Sequence, residues 1–213
     1  MKNGKNTLDE AGDTNPSRGI MMLTLIAGTL AAALPVLAVV ILVLVRNPGL
    51  DDGIDTAQAF NLSIWLTLAA GALWSLVEFT QPGASNGVWK YLLPAPLLLG
   101  VGIALELART PSQTWSNRFT STAPGVCFTM IFLFSMPILS SIFYVLRSTS
   151  LAAPRTAGAI SGLLASSLAA AIYLWHCPEN SLVSVAIWHG LAVIAVVAIS
   201  AYLGHRYLRC TIG

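Results

Sequence analysis

Six apolar stretches dominate this chain, at residues 20–45, 59–77, 91–108, 125–146, 156–175 and 182–204. Each is close to the ~20 residues that a helix needs to cross the hydrocarbon core of a bilayer. Polar and turn-forming segments separate them: residues 47–53, Gln81-Pro82-Gly83, Thr110-Pro111-Ser112, Ala153-Pro154-Arg155 and Pro178-Glu179-Asn180. Backbone that is not helical would leave N–H and C=O groups unsatisfied in lipid, so runs this long read as helices rather than strands. Composition points the same way: 9% of the 213 residues are charged and 55% are hydrophobic, whereas a soluble domain carries about 25% charged residues. The expected fold is all-α, a polytopic six-helix bundle over residues 20–205 whose solvent is the bilayer. A polar N-tail, residues 1–19, is expected to be disordered, and residues 206–213 form a short C-tail. Arg18 and the small residues Ala31 to Ala33 faintly resemble a signal peptide, but the run stays apolar to Val45. An h-region is only about 7–15 residues long, so this run reads as an uncleaved first span.

The basic residues give the orientation, because cytoplasmic loops collect Lys and Arg. Lys2, Lys5, Arg18, Lys90, Arg147, Arg155, Arg206 and Arg209 fall on one side; Arg46, Arg109 and Arg118 fall on the other. The division of eight against three places both termini in the cytoplasm. The last loop, His176-Cys177-Pro178-Glu179, then faces outward, and Cys127 lies in the outer turns of the fourth span. Cys210 lies on the cytoplasmic side. The outer compartment of bacteria is oxidising.

Packing in lipid relies on small residues that let backbones approach. Gly158, Gly162, Ser166 and Ala170 recur every four residues along the fifth span, and Gly71 with Ser75 repeats the pattern in the second. Pro35 and Pro137 lie inside spans and should kink them. Trp89, Tyr91, Trp115, Trp175, Tyr202 and Tyr207 fall near the expected interfaces, as an aromatic belt would.

Reactive groups are few. Cys127 and Cys177 read either as a redox- or metal-responsive pair or as two small buried hydrophobes. His176 and Glu179 add an imidazole and a carboxylate beside Cys177, so that Cys127, Cys177, His176 and Glu179 are candidate metal ligands. The same imidazole could instead activate the Cys177 thiol, or simply cap a helix end. His189, about two turns into the sixth span, can reach this outer cluster. Haem ligation by His176 and His189 is disfavoured, because there is no CxxCH and no second histidine pair. Glu106 is three residues before Arg109, which suggests an interfacial ion pair, and Glu78 at the inner end of the second span reads similarly. The chain has no CxxC, Walker A or HExxH signature. That argues against an inner-membrane thiol oxidoreductase. The scarcity of charge within the spans argues against a small metal transporter. A net charge of +2 gives no reason to expect direct nucleic-acid binding.

The stretch from Pro154 to Arg209 carries Ala157-Gly158-Ala159, Gly162-Leu163-Leu164-Ala165, Leu174-Trp175-His176-Cys177-Pro178-Glu179 and Trp188-His189-Gly190-Leu191. It resembles the C-terminal half of the NrsF-like family, bacterial six-span membrane proteins named for negative regulation of an extracytoplasmic-function sigma factor. Cys127, with Ser135-Met136-Pro137 after it, resembles the family's upstream cysteine. The resemblance implies an anti-sigma factor and not an enzyme. Its partner would be an extracytoplasmic-function sigma factor on the cytoplasmic side, released when Cys127 and Cys177 sense oxidative or heavy-metal stress. His176, Pro178 and Glu179 would shape the surroundings of Cys177. No resident cofactor is implied, although a heavy-metal ion could bind transiently. One expected route for coupling is a shift of the fourth span against the fifth along the glycine face, felt by the loop at residues 147–155.

Overall fold

We describe a computed structural model of the chain, which covers residues 18–43, 56–81, 86–111, 124–147, 149, 151, 153–177 and 181–208. Six helices account for nearly all of these residues: α1 (Arg18–Val43), α2 (Thr56–Phe79), α3 (Pro94–Arg109), α4 (Pro124–Leu146), α5 (Pro154–Tyr173) and α6 (Leu182–Tyr207). A short 3₁₀ segment, Asn86–Tyr91, precedes α3. There is no strand among the described residues. The architecture is therefore the expected all-α bundle, and five of the helices are long and apolar enough to cross a membrane.

The exception is α3. Its expected run began at residue 91, but the helix starts at Pro94 and has 16 residues, a length of about 24 Å at 1.5 Å per residue. Proline has no N–H and clashes with the preceding turn in a helix interior, at a cost of about 3 kcal/mol. Both Pro94 and Pro96 are accommodated by starting the helix at Pro94, which puts them in the first turn, where N–H groups have no intrahelical acceptor. The chain just before it lies against α2: a Cβ on Gly71 would overlap the Tyr91 carbonyl.

α5 is the central helix. It packs most extensively on α6, and then on α2 and α4. Its buried residues are mostly Gly, Ala and Ser, with only Ile160, Leu164 and Tyr173 as large buried side chains. The small residues explain its position, since van der Waals contact between close backbones replaces the hydrophobic drive that lipid cannot supply. Serine hydroxyls bond back to the helix itself, Ser161 to the Ala157 carbonyl at 2.7 Å and Ser166 to the Gly162 carbonyl at 2.7 Å, so none is stranded in the apolar interior.

α1 is the opposite case. Only Met21, Leu25, Thr29, Val36 and Val40 are buried, while Leu23 and Leu42 are 69% and 82% exposed. The buried positions form one stripe at helical spacing, and the remainder is the surface a lipid-facing helix presents. The stripe lies on α4, where the Ser141 hydroxyl donates to the Gly28 carbonyl at 2.7 Å.

The core divides into two clusters along the bundle axis. One gathers Met21, Leu76, Leu146, Leu151, Ala157 and Leu208. At its end Arg18 pairs with Glu78 at 3.4 Å and stacks over Trp74 at 4.8 Å, which ties the start of α1 to the end of α2. The other cluster gathers Val40, Trp65, Ile131, Tyr173 and Val185 around Cys127 and Cys177. The expected N-tail disorder, Cys210 and residues 112–123 lie outside the described residues.

Candidate functional site

Two local features bring the cysteines together. α4 begins at Pro124, so Cys127 sits one turn into the helix, facing the core with 3% of its surface exposed. Cys177 follows the end of α5. The last turn tightens there: the Tyr173 carbonyl accepts from the N–H of His176 at 2.9 Å and of Cys177 at 3.1 Å. Proline at 178 disfavours helical geometry in the residue before it, so the helix cannot continue through Cys177. The side chain of Gln58 on α2 donates to the Leu174 carbonyl at 3.2 Å, satisfying one of the acceptors that a helix end leaves open. Cys177 is thereby turned inward and is 3% exposed.

The sulfurs of Cys127 and Cys177 are 3.8 Å apart and are not joined by a disulfide. His189 on α6 completes the group. It is 1% exposed, and a ring nitrogen and the two sulfurs all lie within 4.8 Å of one another. Two aromatic rings hold the imidazole edge-on, Trp65 from α2 with centroids 5.8 Å apart and Tyr173 from α5 at 6.1 Å. Four helices therefore converge on one buried cluster near one end of the bundle.

Of the residues singled out from sequence, the structure thus brings together Cys127, Cys177 and His189. His176 is half-buried in the turn before Cys177 and is not part of this donor group. Pro178 and Glu179 lie outside the described residues. Gly158, Gly162, Ser166 and Ala170 are all buried. The glycine face meets α6 rather than α4: a Cβ on Gly158 would come within 2.8 Å of the Gly204 Cα, and one on Gly162 within 2.8 Å of the Ser200 Cβ. The close backbone seam is α5 on α6, so the glycine face does not lie along the fourth span as expected.

Glu106 has a different use from the expected pairing with Arg109. Its carboxylate accepts from the Ser181 hydroxyl at 2.8 Å and from the Leu182 N–H at 2.7 Å. A carboxylate at this position satisfies open N–H groups and lies at the favourable end of the helix dipole. It fixes the start of α6 at Leu182, five residues after Cys177. Beside it is a cavity of about 520 Å³ between α2, α3 and α6, lined by Phe60, Gly102, Leu105, Glu106 and Arg109 among others.

Three contributors were not anticipated from sequence. Trp65, Tyr173 and Gln58 are not among the residues that the sequence pattern singles out. Tyr173 had one usable signal, its position four residues before Cys177, which is one helical turn.

A family profile described as "Negative regulator of sigma F" matches residues 11–210. A probable anti-sigma-F factor from Azospira oryzae is 29% identical over 143 residues, 67% of this chain and 67% of that protein. The anti-sigma-F factor of Caulobacter vibrioides is 31% identical over 83 residues, 39% of each chain. No solved structure matches.

Proposed function

The chain belongs to the NrsF family, the negative regulators of sigma F, and from that membership we propose that it is a membrane-embedded anti-sigma factor. Its role is regulatory rather than enzymatic. It holds an extracytoplasmic-function sigma factor at the cytoplasmic face of the bacterial inner membrane and releases it when the Cys127–Cys177 pair changes state. Oxidants and heavy-metal ions are the stimuli, because both act on paired thiols.

The observation that supports this most is the 3.8 Å approach of the two sulfurs. They come from residues 50 apart in sequence, and they meet across α4 and the end of α5. A pair in contact can be oxidised to a disulfide after a small movement, since bonded sulfurs sit about 2.05 Å apart. It can also share a soft cation. Either change alters how α4 and α5 lie against each other at one end of the bundle. The short segment joining them, around Thr149 and Leu151, is at the other end and buries both residues in the core there. The positive-inside count assigns that end to the cytoplasm, together with Arg18, Arg147 and Arg155. A change at the thiols and a partner at the basic end are then the two sites of one coupled equilibrium.

The test is capture and release. Purification of the tagged full chain from bacterial membranes in mild detergent should retain a sigma factor, identified by mass spectrometry. Transcription dependent on that factor should rise under oxidant or metal stress in the wild type. It should become unresponsive when Cys127 and Cys177 are both replaced by Ser. A chain that never captures a sigma factor contradicts the anti-sigma reading, and an unchanged response in the double variant contradicts the role of the thiols.

A further inference from the structure

We propose that Cys127, Cys177 and His189 form a binding site for one soft divalent cation of the zinc and cadmium class, with His189 as the third ligand. The proposal rests on the preceding reading only for its regulatory consequence; the site itself is read from the geometry.

The first argument is distance. Zn–S bonds of about 2.3 Å at a tetrahedral angle hold two sulfurs about 3.8 Å apart. The Cys127 and Cys177 sulfurs are 3.8 Å apart, so both can serve as ligands without closing on each other or separating. The imidazole nitrogen is already within 4.8 Å of both. Zn–N bonds of about 2.0–2.1 Å require it to close by roughly one ångström, which a small rotation of the side chain supplies.

The second argument is charge. The three side chains are 3% exposed or less, and an uncompensated charge in such a place is strongly disfavoured. Two thiolates and a neutral imidazole around a divalent cation sum to zero. A monovalent cation would leave the site negative and a trivalent cation positive. Binding is a simple exchange: each thiol gives up its proton to solvent, two sulfur–metal bonds and one nitrogen–metal bond form, and nothing is oxidised or reduced. The metal's charge supplies the drive for thiol deprotonation. Tyr173 and Trp65 orient the ring, as outer residues commonly do for a ligating histidine.

The consequence differs from that of a disulfide. A disulfide ties α4 to the end of α5. The metal also ties in α6, which His189 occupies seven residues from its start at Leu182. α6 then runs about 23 Å to Gly204, where its backbone rests on Gly158. A pull on His189 is thus applied to the helix whose far end forms the close seam with α5.

The test uses purified full chain in detergent with its thiols reduced, and Co²⁺ and Cd²⁺ as probes. The wild type should bind one Co²⁺ with tetrahedral ligand-field bands and a thiolate-to-cobalt charge-transfer band, releasing two protons per cation near neutral pH. Cys127→Ser and Cys177→Ser should abolish the charge transfer. His189→Gln should weaken affinity at least about 10-fold, since even outer-shell changes typically cost 10–100-fold, and the ligand-field bands should move with the loss of nitrogen. If His189→Gln does not fold, the wild type alone decides: the His189 ring nitrogens, followed by NMR in ¹⁵N-histidine protein, should shift on Cd²⁺ binding. Absence of stoichiometric binding, affinity unchanged in His189→Gln, or an unmoved imidazole signal would overturn the site. No sigma factor is present in these assays, so their failure leaves the anti-sigma reading standing, and failure of sigma capture leaves the metal site standing.

Discussion

Gly204→Ala tests the α5–α6 seam, where two helix backbones lie in close contact. A Cβ at residue 204 would lie 2.7 Å from the Gly158 Cα and 2.7 Å from the Pro154 carbonyl oxygen. Both are backbone atoms, so no side chain can swing aside. Carbon atoms rest about 3.5–4.0 Å apart, so the helices must separate locally by about 1 Å. Overpacking of this kind costs about 1–3 kcal/mol. Against it stands the helix-propensity gain of Gly to Ala, about 0.8–1.0 kcal/mol. Gly190→Ala, on the same helix, is the matched control, because nothing lies within 4 Å of a Cβ there. It keeps the propensity gain and meets no clash. The two variants should therefore differ by about 1–3 kcal/mol, Gly204→Ala being the less stable. Reversible unfolding of the detergent-solubilised chain, followed by circular dichroism against denaturant, reads the difference. Equal stability of the two variants would refute the seam. Retention of the Cys127–Cys177 cluster in Gly204→Ala would show that a seam defect stays local, because the two lie at opposite ends.

Other expectations follow from particular side chains. Cys177 is too buried to report sidedness, so single cysteines belong at exposed aromatic positions: Trp175→Cys, 37% exposed, should react with a membrane-impermeant thiol reagent in spheroplasts, and Tyr207→Cys, 62% exposed, should not; the reverse pattern overturns the orientation. Glu106→Gln removes the charge that caps α6 and should lower stability by about 0.5–2 kcal/mol, and alkylation of Cys177, four residues upstream of Ser181, should accelerate; an unchanged alkylation rate would mean that the cap does not hold the turn. Ile131→Ala opens a gap in the cluster around the thiols at a position with 0% exposure, and should cost about 2–5 kcal/mol; a loss under 1 kcal/mol would show that the cluster collapses around the gap.

Hydropathy made the helices legible because lipid gives each span the same demand, a long apolar run with every backbone group paired inside it. The same logic cannot see where a helix begins. α3 starts three residues later than its apolar run because Pro94 and Pro96 must share a first turn. Small residues on α5 announced a close approach, but small-residue spacing carries no name for the partner, and only the fold shows α6 against Gly158 and Gly162. Cys177 was readable as a residue held at a helix end, since proline at 178 stops the helix there. Its partnership with Cys127 was readable only as shared depth. His189 was placed within reach of that layer by counting turns from the start of the sixth span. Trp65 and Tyr173, which orient its ring, come from two other helices that no local pattern connects to it. Glu106 shows the limit of spacing arguments: three residues separate it from Arg109, but its hydrogen bonds go to Ser181 and Leu182.

Release from the isolated complex reads whether the state of the Cys127–Cys177 pair controls a sigma factor at the other end of the bundle, as proposed above. The chain and its captured sigma factor are immobilised in detergent through the chain, and the thiols are oxidised with a mild disulfide-forming reagent or loaded with Cd²⁺. The sigma factor should elute from the wild type and stay bound to the Cys127→Ser, Cys177→Ser double variant under the same treatment. Retention by the wild type after both thiols are shown to have reacted, or equal elution from the double variant, would contradict that control.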